Sequence, residues 1–405
     1  MAEKKTGLLL VTAGFPYGES ERSFLSEEFA QLRRQFDVSV LALWPDRQLL
    51  YDTDPQLRHE NYIFPPLRSA KTLALLPRLL AKPFRAELRA SGRAVSTAAY
   101  YINALHVLPL LRQRVKERDI SIIYTYWCSE VTLAAVLLRR ECPHLKVVTR
   151  FHGIDLYNER REDGRQPFRT AIAEGVDRLI FPCNRARDYF LHTWGQQYAE
   201  KSVTAYLGCR PFPAVTPSSD MPLVLVSCSN LIPLKRVERI IEALALLPRD
   251  LPISWHHIGD GSEQEKLELL AQKRLMPRGV DYCFHGALPN HQLPALYTQL
   301  NPHLFLTASS TEGGVPVSIQ EASSAGIVTV GTDVGGIAEI VLHEKTGYLL
   351  SADASAQELA DAITAFAALP LHKREEMSRA AVQLWQRDFD AEKNALELCR
   401  LLSAL

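Results

Sequence analysis

The sequence predicts an α/β protein made of two parallel-sheet domains in series, and three observations predict it. The chain is 405 residues long, and single cores rarely grow beyond about 250–300 residues. A rhythm of short apolar strand, polar or glycine-bearing turn and amphipathic helix runs through the first half, stops, and starts again. The interruption, Pro211–Pro222, holds Pro-Phe-Pro, Thr-Pro-Ser-Ser-Asp and Met-Pro and reads as a linker.

Leu8–Val11 is expected as the first buried strand, followed by a loop over Ala13–Gly18 and a helix around Ser23–Gln35. Phe24, Leu25, Phe29 and Leu32 recur there near helical spacing. Val38–Leu43 is the next strand. Ile120–Tyr124 and Lys146–Arg150 are strands flanking a helix around Val131–Arg140, and Asp177–Phe181 leads into a helix through Ala186–Leu191. The intervening stretch 77–109 is helical in pattern, basic, and punctuated by Pro77, Pro83 and Pro109.

After the linker, Leu223–Ser227 is a strand and Val237–Leu247 a helix with Val237, Ile240, Ile241 and Leu244 on one face. Ile253–Ile258, Phe305–Thr307 and Ile327–Val330 are further strands, and a last amphipathic helix spans about Ala391–Leu402. Alternation of this kind implies parallel sheets covered by helices on both faces, that is, two Rossmann-like domains. Ligands of such sheets bind at the carboxyl ends of the strands, so a cleft between the two domains is the expected site. The expected organisation is residues 1–210, residues 211–385, and a terminal segment 386–405 returning towards the first domain.

Hydrophobic residues make up 47% and charged residues 23% of a chain whose formal net charge is zero, which gives no global electrostatic case for nucleic acid. The charge is uneven, however. Residues 68–118 hold eleven Lys and Arg against Glu87 and Glu117, a local net of +9. With Leu73, Leu75, Leu76, Leu79, Leu80 and Phe84, this segment suggests contact with an anionic membrane surface. The alternative is a solvated helical flank.

Seven scattered cysteines with no C-x-x-C pair suit reduced thiols in a cytoplasmic protein. Gly7–Ala13 is too short for a signal-peptide core, and no uninterrupted apolar stretch reaches spanning length. The chain is therefore expected to be soluble or at most peripheral. His256-His257 and Cys142-x-His144 lack a matching second pair, so no metal site is expected.

The chemistry concentrates in three loops that follow strands. Ser309-Ser310-Thr311-Glu312-Gly313-Gly314-Val315-Pro316 opens a helix containing Glu321. Gly313 and Gly314 let backbone amides approach a ligand, and a helix N-terminus favours an anion, which together describe a diphosphate cradle. Glu312 and Glu321 suit the hydroxyls of a sugar; the alternative is a helix cap with two solvated glutamates. Lys235, after the strand ending near Ser227, can neutralise charge growing on a leaving diphosphate, or be a solvated lysine at a helix start. His152, in Arg150-Phe151-His152-Gly153-Ile154-Asp155-Leu156-Tyr157, can bond a hydroxyl or be a structural histidine. Gly259-Asp260-Gly261 reads as a tight turn at the cleft, and Tyr124, Tyr126 and Trp127 as core and cleft wall.

Taken in order, these segments resemble retaining glycosyltransferases of family 4, which have the GT-B fold, over nearly the whole chain. The resemblance is strongest from Ser309 to Gly347, including Thr332-Asp333-Val334-Gly335-Gly336-Ile337-Ala338-Glu339. It implies that Glu321 binds the nucleotide ribose and that Glu312 contacts the transferred sugar. Gly313, Gly314 and Val315 would reach the sugar and diphosphate, Lys235 the diphosphate, and His152 the donor sugar. The loop Gly14–Gly18 would lie on the acceptor side, with Asp155. Two departures stand out: Glu312 and Glu321 enclose eight residues rather than seven, and Asn230 replaces a common arginine, leaving Arg236 or Arg239 to compensate.

The resemblance further implies a nucleotide-sugar donor, retention of anomeric configuration, no metal cofactor, a glycan or lipid-linked acceptor, and cytoplasmic polysaccharide assembly, peripheral on the inner membrane face. The rival readings are a glycoside hydrolase using Glu312 and Glu321 as acid and base, and a catalytically silent sugar-nucleotide binder.

Overall fold

The structure, a computed structural model, describes residues 5–17, 21–43, 57–91, 94–216 and 222–405. Gly18 and Arg93, and residues 217–221 of the expected linker, lie outside them. The chain divides into two compact units, Met1–Ala205 with Ala395–Leu405, and Tyr206–Asn394.

The first unit is built on seven parallel strands: β1 (Gly7–Thr12), β2 (Asp37–Ala42), β3 (Arg58–Asn61), β4 (Ile120–Thr125), β5 (Lys146–Arg150), β6 (Arg178–Phe181) and β7 (Ser202–Thr204). Their order across the sheet is β3-β2-β1-β4-β5-β6-β7. Leu8, Leu9 and Leu10 of β1 are all buried, as expected of a central strand covered on both faces. The helix Arg22–Gln35 buries Leu25, Phe29 and Leu32, whereas Phe24 stays half-buried. The helix Glu130–Arg139 starts at a reciprocal cap in which Ser129 Oγ accepts from the Val131 amide and Thr132 Oγ1 accepts from the Ser129 amide.

The second unit holds six parallel strands: β8 (Leu223–Cys228), β9 (Ile253–Ile258), β10 (Asp281–Phe284), β11 (Leu304–Thr307), β12 (Val328–Thr332) and β13 (Gly347–Leu350). Their order is β10-β9-β8-β11-β12-β13. Its core gathers Leu225, Trp255, Leu304 and Val330 from the sheet with Ile240, Ile241, Leu244 and Ile363 from the covering helices. Both sheets therefore share one topology. Strand order reverses between the first and fourth strand of each, β1 and β4 in one and β8 and β11 in the other, and loops at such a reversal leave room for a ligand.

Every strand expected from the sequence is present within two residues at each end. The strands β3, β7, β10 and β13 were not expected, and all four are sheet edges. The stretch 77–109, expected to be helical and punctuated by prolines, is helical: a 3-10 turn Leu76–Leu80, a helix Lys82–Ser91 and a helix Ala94–Glu117 that carries Pro109 in its interior. This last helix packs along the helix Glu130–Arg139 and buries Ala104, Val107 and Leu111, which offsets the hydrogen bond that proline removes. By length and composition alone this helix could cross a bilayer. One residue of the expected lipid-facing set is misplaced: Phe84 is buried, its ring 5.7 Å from that of Tyr101, whereas Leu73, Leu76 and Leu80 are exposed.

Candidate active site

In the second unit the loops after β8 and β11 are stitched together. The Ser310 amide donates to the Leu234 carbonyl at 2.8 Å. Lys235 ends a short 3-10 turn, Pro233–Lys235, and its Nζ donates to Glu312 Oε1 at 2.5 Å. Arg236 adopts a left-handed backbone conformation (φ 45°) and turns inward. Its Nε donates to the Ala308 carbonyl at 2.7 Å and its Nη2 to the carbonyls of Ser309 and Ala352 at 2.8 and 2.6 Å. Arg239 likewise donates to the Ala354 carbonyl. Neither guanidinium takes the place of the arginine missing at position 230. Both hold the backbone that presents Lys235, and Asn230 lies exposed in the loop before it.

Two glycine turns back these loops. Gly259 has φ 129°, and a Cβ there would stand 2.0 Å from the Ser229 carbonyl oxygen. The Leu231 amide donates to the Asp260 carbonyl at 2.7 Å, so the turn after β9 braces the loop leading to Lys235. Gly335 has φ 54°, and a Cβ there would lie 2.6 Å from Glu312 Cβ. The Gly336 amide donates to the Gly314 carbonyl at 2.9 Å. The Glu312-Gly313-Gly314 segment therefore rests against the turn after β12, and only glycine permits that approach.

Glu321 sits in the helix Val317–Ser324 with 4% of its surface exposed. Burial pushes its carboxyl up to about 7, against the opposing effect of a 2.6 Å hydrogen bond that Asn290 Nδ2 donates to Oε1. Pro316 is the cap residue of this helix (φ −57°, ψ 133°) rather than a member of its first turn, and no side chain caps it. Gln320 Nε2 donates to the buried Val315 carbonyl at 2.9 Å, which fixes the entry to the helix. Cys228, at the end of β8, reports on both charged groups. Burial first and Glu321 second push its thiol up to about 12, while Lys235 pulls it down. Lys235 and Glu312 thus meet at the strand-order reversal of this sheet, and Cys228 lies within electrostatic reach of both Lys235 and Glu321.

In the first unit His152 follows β5 and lies against Trp127, Tyr126 and Phe24, with ring centroids 4.2, 4.9 and 6.0 Å away. Its Nε2 is 3.0 Å from the Tyr126 carbonyl oxygen. A carbonyl only accepts, so Nε2 carries the proton and Nδ1 is left as an acceptor. Burial, then the Arg150 guanidinium, hold the imidazole down to about 3, so it is neutral. Asp155 takes the amides of His152 and Cys128 at 2.8 and 2.9 Å, one on each oxygen, and so positions the histidine loop. Arg150 is buried: Nη2 donates to Glu28 Oε2 and Nε to Tyr124 Oη, each at 2.8 Å, and Tyr124 Oη donates to Glu28 Oε1 at 2.8 Å.

The loop after β1 is organised by Glu21, a residue the sequence did not single out. Its carboxylate accepts from the amides of Ala13, Gly14 and Phe15 at 3.1, 2.6 and 2.7 Å, and from Trp127 Nε1 at 2.5 Å. Gly14 therefore sits in a fixed turn, closed by the Tyr17 amide on its carbonyl at 2.8 Å. Glu21 precedes the helix Arg22–Gln35 without capping it, and the amides it gathers belong to the preceding loop, so no local sequence pattern marks it.

Comparison with known proteins bears on the second unit most directly: residues 211–384 match the family described as glycosyl transferases group 1. WcaL of Escherichia coli (strain K12), which its name assigns to colanic acid biosynthesis as a glycosyltransferase, is 26% identical over 269 residues, 64% of each chain. The chain thus spans just under two thirds of that relative's length. The amylovoran biosynthesis glycosyltransferase AmsK of Erwinia amylovora is 23% identical over 373 residues, 87% of this chain and 88% of its own. Among solved structures, Anabaena HepE in complex with UDP and glucose superposes with a TM-score of 0.69 at 18% identity, over 98% of this chain and all of the other. The protein has the GT-B fold of two parallel-sheet α/β domains, and its residues 211–384 are similar to the glycosyl transferases group 1 family.

Proposed function

We propose that the chain is a retaining glycosyltransferase, moving a hexosyl group from a nucleoside-diphosphate donor to a glycan or lipid-linked acceptor in polysaccharide assembly. The observation that carries this reading is the Lys235 ammonium on the Glu312 carboxylate past the carboxyl ends of β8 and β11, with the buried Glu321 carboxylate acting on the same Cys228 thiol as Lys235. An ammonium and glycine amides suit a diphosphate, and carboxylates suit hydroxyls. The family match over the same segment points the same way.

In this reading Glu321 accepts from the ribose hydroxyls and the Glu312 loop meets the sugar. Lys235, the amides of Gly313 and Gly314 and the uncapped helix start at Val317 stabilise negative charge as the diphosphate leaves. The transfer step takes no metal, because these groups supply the positive potential. His152 offers a neutral Nδ1 acceptor to a sugar hydroxyl, and Gly14 and Asp155 shape the acceptor side. A hydrolase reading is disfavoured: a carboxylate held 2.5 Å from an ammonium is a poor general acid. Exposed Leu73, Leu76 and Leu80, interleaved with exposed Lys71 and Arg78, support peripheral contact with the cytoplasmic face of a membrane.

The test is a thermal-shift and calorimetric screen against UDP, GDP, ADP and their sugars. One nucleoside diphosphate should stabilise the protein, and Lys235→Ala or Glu321→Ala should abolish the shift. Variants that respond like the parent would overturn the site assignment. Binding without turnover or slow donor hydrolysis would leave a silent binder instead.

A further inference from the structure

We propose that His256, Cys283 and His285, at the outer edge of the second sheet, form a binding site for a zinc-type divalent cation, separate from the transfer chemistry. The three residues come from paired strands. Cys283 of the edge strand β10 stands opposite His256 of β9, and the His285 amide, one residue past β10, donates to the His257 carbonyl at 2.9 Å. Alternation along a strand puts His256 on one face and His257 on the other. His257 is accounted for structurally, with Ser227 Oγ 2.8 Å from Nδ1 and the Ser229 carbonyl oxygen 3.1 Å from Nε2. His256 is directed away from that network, towards Cys283 and His285.

The ligand atoms of His256, Cys283 and His285 all lie within 4.8 Å of one another. His256 Nδ1 and His285 Nε2 are 3.0 Å apart. A tetrahedral zinc with two imidazole nitrogens at about 2.0–2.1 Å needs them about 3.3 Å apart, and a thiolate sulfur at about 2.3 Å from the metal needs about 3.6 Å to each nitrogen. Closing the existing triangle therefore takes shifts of an ångström or so, on an edge strand whose cysteine is exposed.

A second observation orients one ligand in advance. Ser254 Oγ donates to Asp281 Oδ2 at 3.1 Å and lies 3.0 Å from His256 Nε2. The hydroxyl proton being given to the carboxylate, Ser254 Oγ accepts from His256 Nε2–H, so the Nδ1 lone pair points at the cluster. A carboxylate-linked partner on the remote nitrogen is the usual companion of a metal-bound imidazole. On binding, the Cys283 thiol gives its proton to solvent and becomes the thiolate ligand. The proton of His285 moves from Nε2 to Nδ1 by exchange with water, freeing the second nitrogen pair. Three protein ligands leave a fourth position for water. The site adjoins the Gly259–Gly286 bridge, whose other side is the turn bracing the Lys235 loop.

The test uses the full chain, reduced and stripped with chelator, titrated with cobalt(II) and then zinc(II). One cobalt per chain should bind with a thiolate charge-transfer band that zinc abolishes. Cys283→Ser should remove that band, His285→Ala should weaken zinc binding at least 100-fold, and Asp281→Asn about tenfold. Circular dichroism of the metal-free variants checks that the edge strand still forms, and His285→Gln serves as the replacement should His285→Ala misfold. No charge-transfer band, a band that survives Cys283→Ser, or zinc affinity unmoved by both His285 variants would overturn the proposal.

Discussion

Lys235 Nζ donates to Glu312 Oε1 at 2.5 Å, so the cation assigned to the diphosphate is already neutralised by the carboxylate assigned to the sugar. An arriving diphosphate must share or displace that partner. Glu312→Gln should therefore leave nucleoside diphosphate affinity equal or up to tenfold tighter, while slowing transfer about 100-fold. Lys235→Ala should weaken the same ligand by about 1.5–3 kcal/mol, the range for a charge-assisted hydrogen bond. Calorimetry beside steady-state kinetics separates the two; weaker diphosphate binding in Glu312→Gln would refute the competition.

Glu321 makes both binding and stability depend on pH. Its carboxyl is raised to about 7 in the folded chain, so folding favours the protonated form. That contribution is whole below the ordinary carboxyl value near 4.5 and is lost as pH rises through about 7. Glu321→Gln, neutral at every pH, should gain stability over the parent across this window, reaching about 3 kcal/mol at pH 8. Ribose hydroxyls, in contrast, need the ionised carboxylate. Nucleotide binding at pH 6 should release close to one proton, measurable by calorimetry in buffers of different ionisation enthalpy. Proton uptake, or none, would remove Glu321 from the ribose.

What the sequence disclosed follows from where the apolar residues lie. Central strands such as Leu8–Val11 and Leu223–Val226 are covered on both faces and read as continuous apolar runs. The four strands that escaped notice, Arg58–Asn61, Ser202–Thr204, Asp281–Phe284 and Gly347–Leu350, are edges of only three or four residues, too short to show a periodic pattern, and Arg58–Asn61 is wholly polar. In the site, Lys235 and Glu321 were legible because glycine turns and strand ends announce a ligand loop. Glu21 and Asn290 were not, because what marks them is a partner distant in sequence: Trp127 for one, Glu321 for the other. Arg150 and Asp155 lay within a recognised motif, yet their work is to hold the loop that carries His152.

His152 should not titrate in the working range. With the imidazole held down to about 3 and Nε2–H on the Tyr126 carbonyl, nitrogen-15 spectra should show Nδ1 unprotonated from pH 5 to 9. His152→Ala should lower kcat/KM for the donor sugar about 10- to 100-fold, as expected for losing one hydrogen bond to the transition state. Affinity for the bare nucleoside diphosphate should not change. Equal losses in both measurements would make this a structural histidine only.

The buried Arg150–Glu28 pair should dominate the stability of the first unit. Arg150→Met leaves Glu28 uncompensated with one hydrogen bond, from Tyr124, which is expected to cost about 3–5 kcal/mol. Adding Glu28→Gln removes the stranded charge and should recover part of that loss. Denaturant unfolding of the two single variants and the double variant gives the coupling. Simple additivity would mean that the pair acts as two independent side chains.

Gly335 and Gly279 together separate backbone strain from loop displacement. Both have positive φ, 54° and 69°, so alanine costs about 1 kcal/mol or more of backbone strain at either. At Gly279 nothing lies within 4 Å of the new Cβ, whereas at Gly335 it meets Glu312 Cβ at 2.6 Å and the Glu312 carbonyl oxygen at 2.8 Å. Gly335→Ala must push the Glu312 loop away and with it the partner of Lys235. It should cost at least tenfold in donor affinity, read by calorimetry, while Gly279→Ala lowers the melting temperature by a comparable amount and leaves binding intact. Loss of binding in both would trace the effect to general destabilisation and detach the turn after β12 from donor recognition.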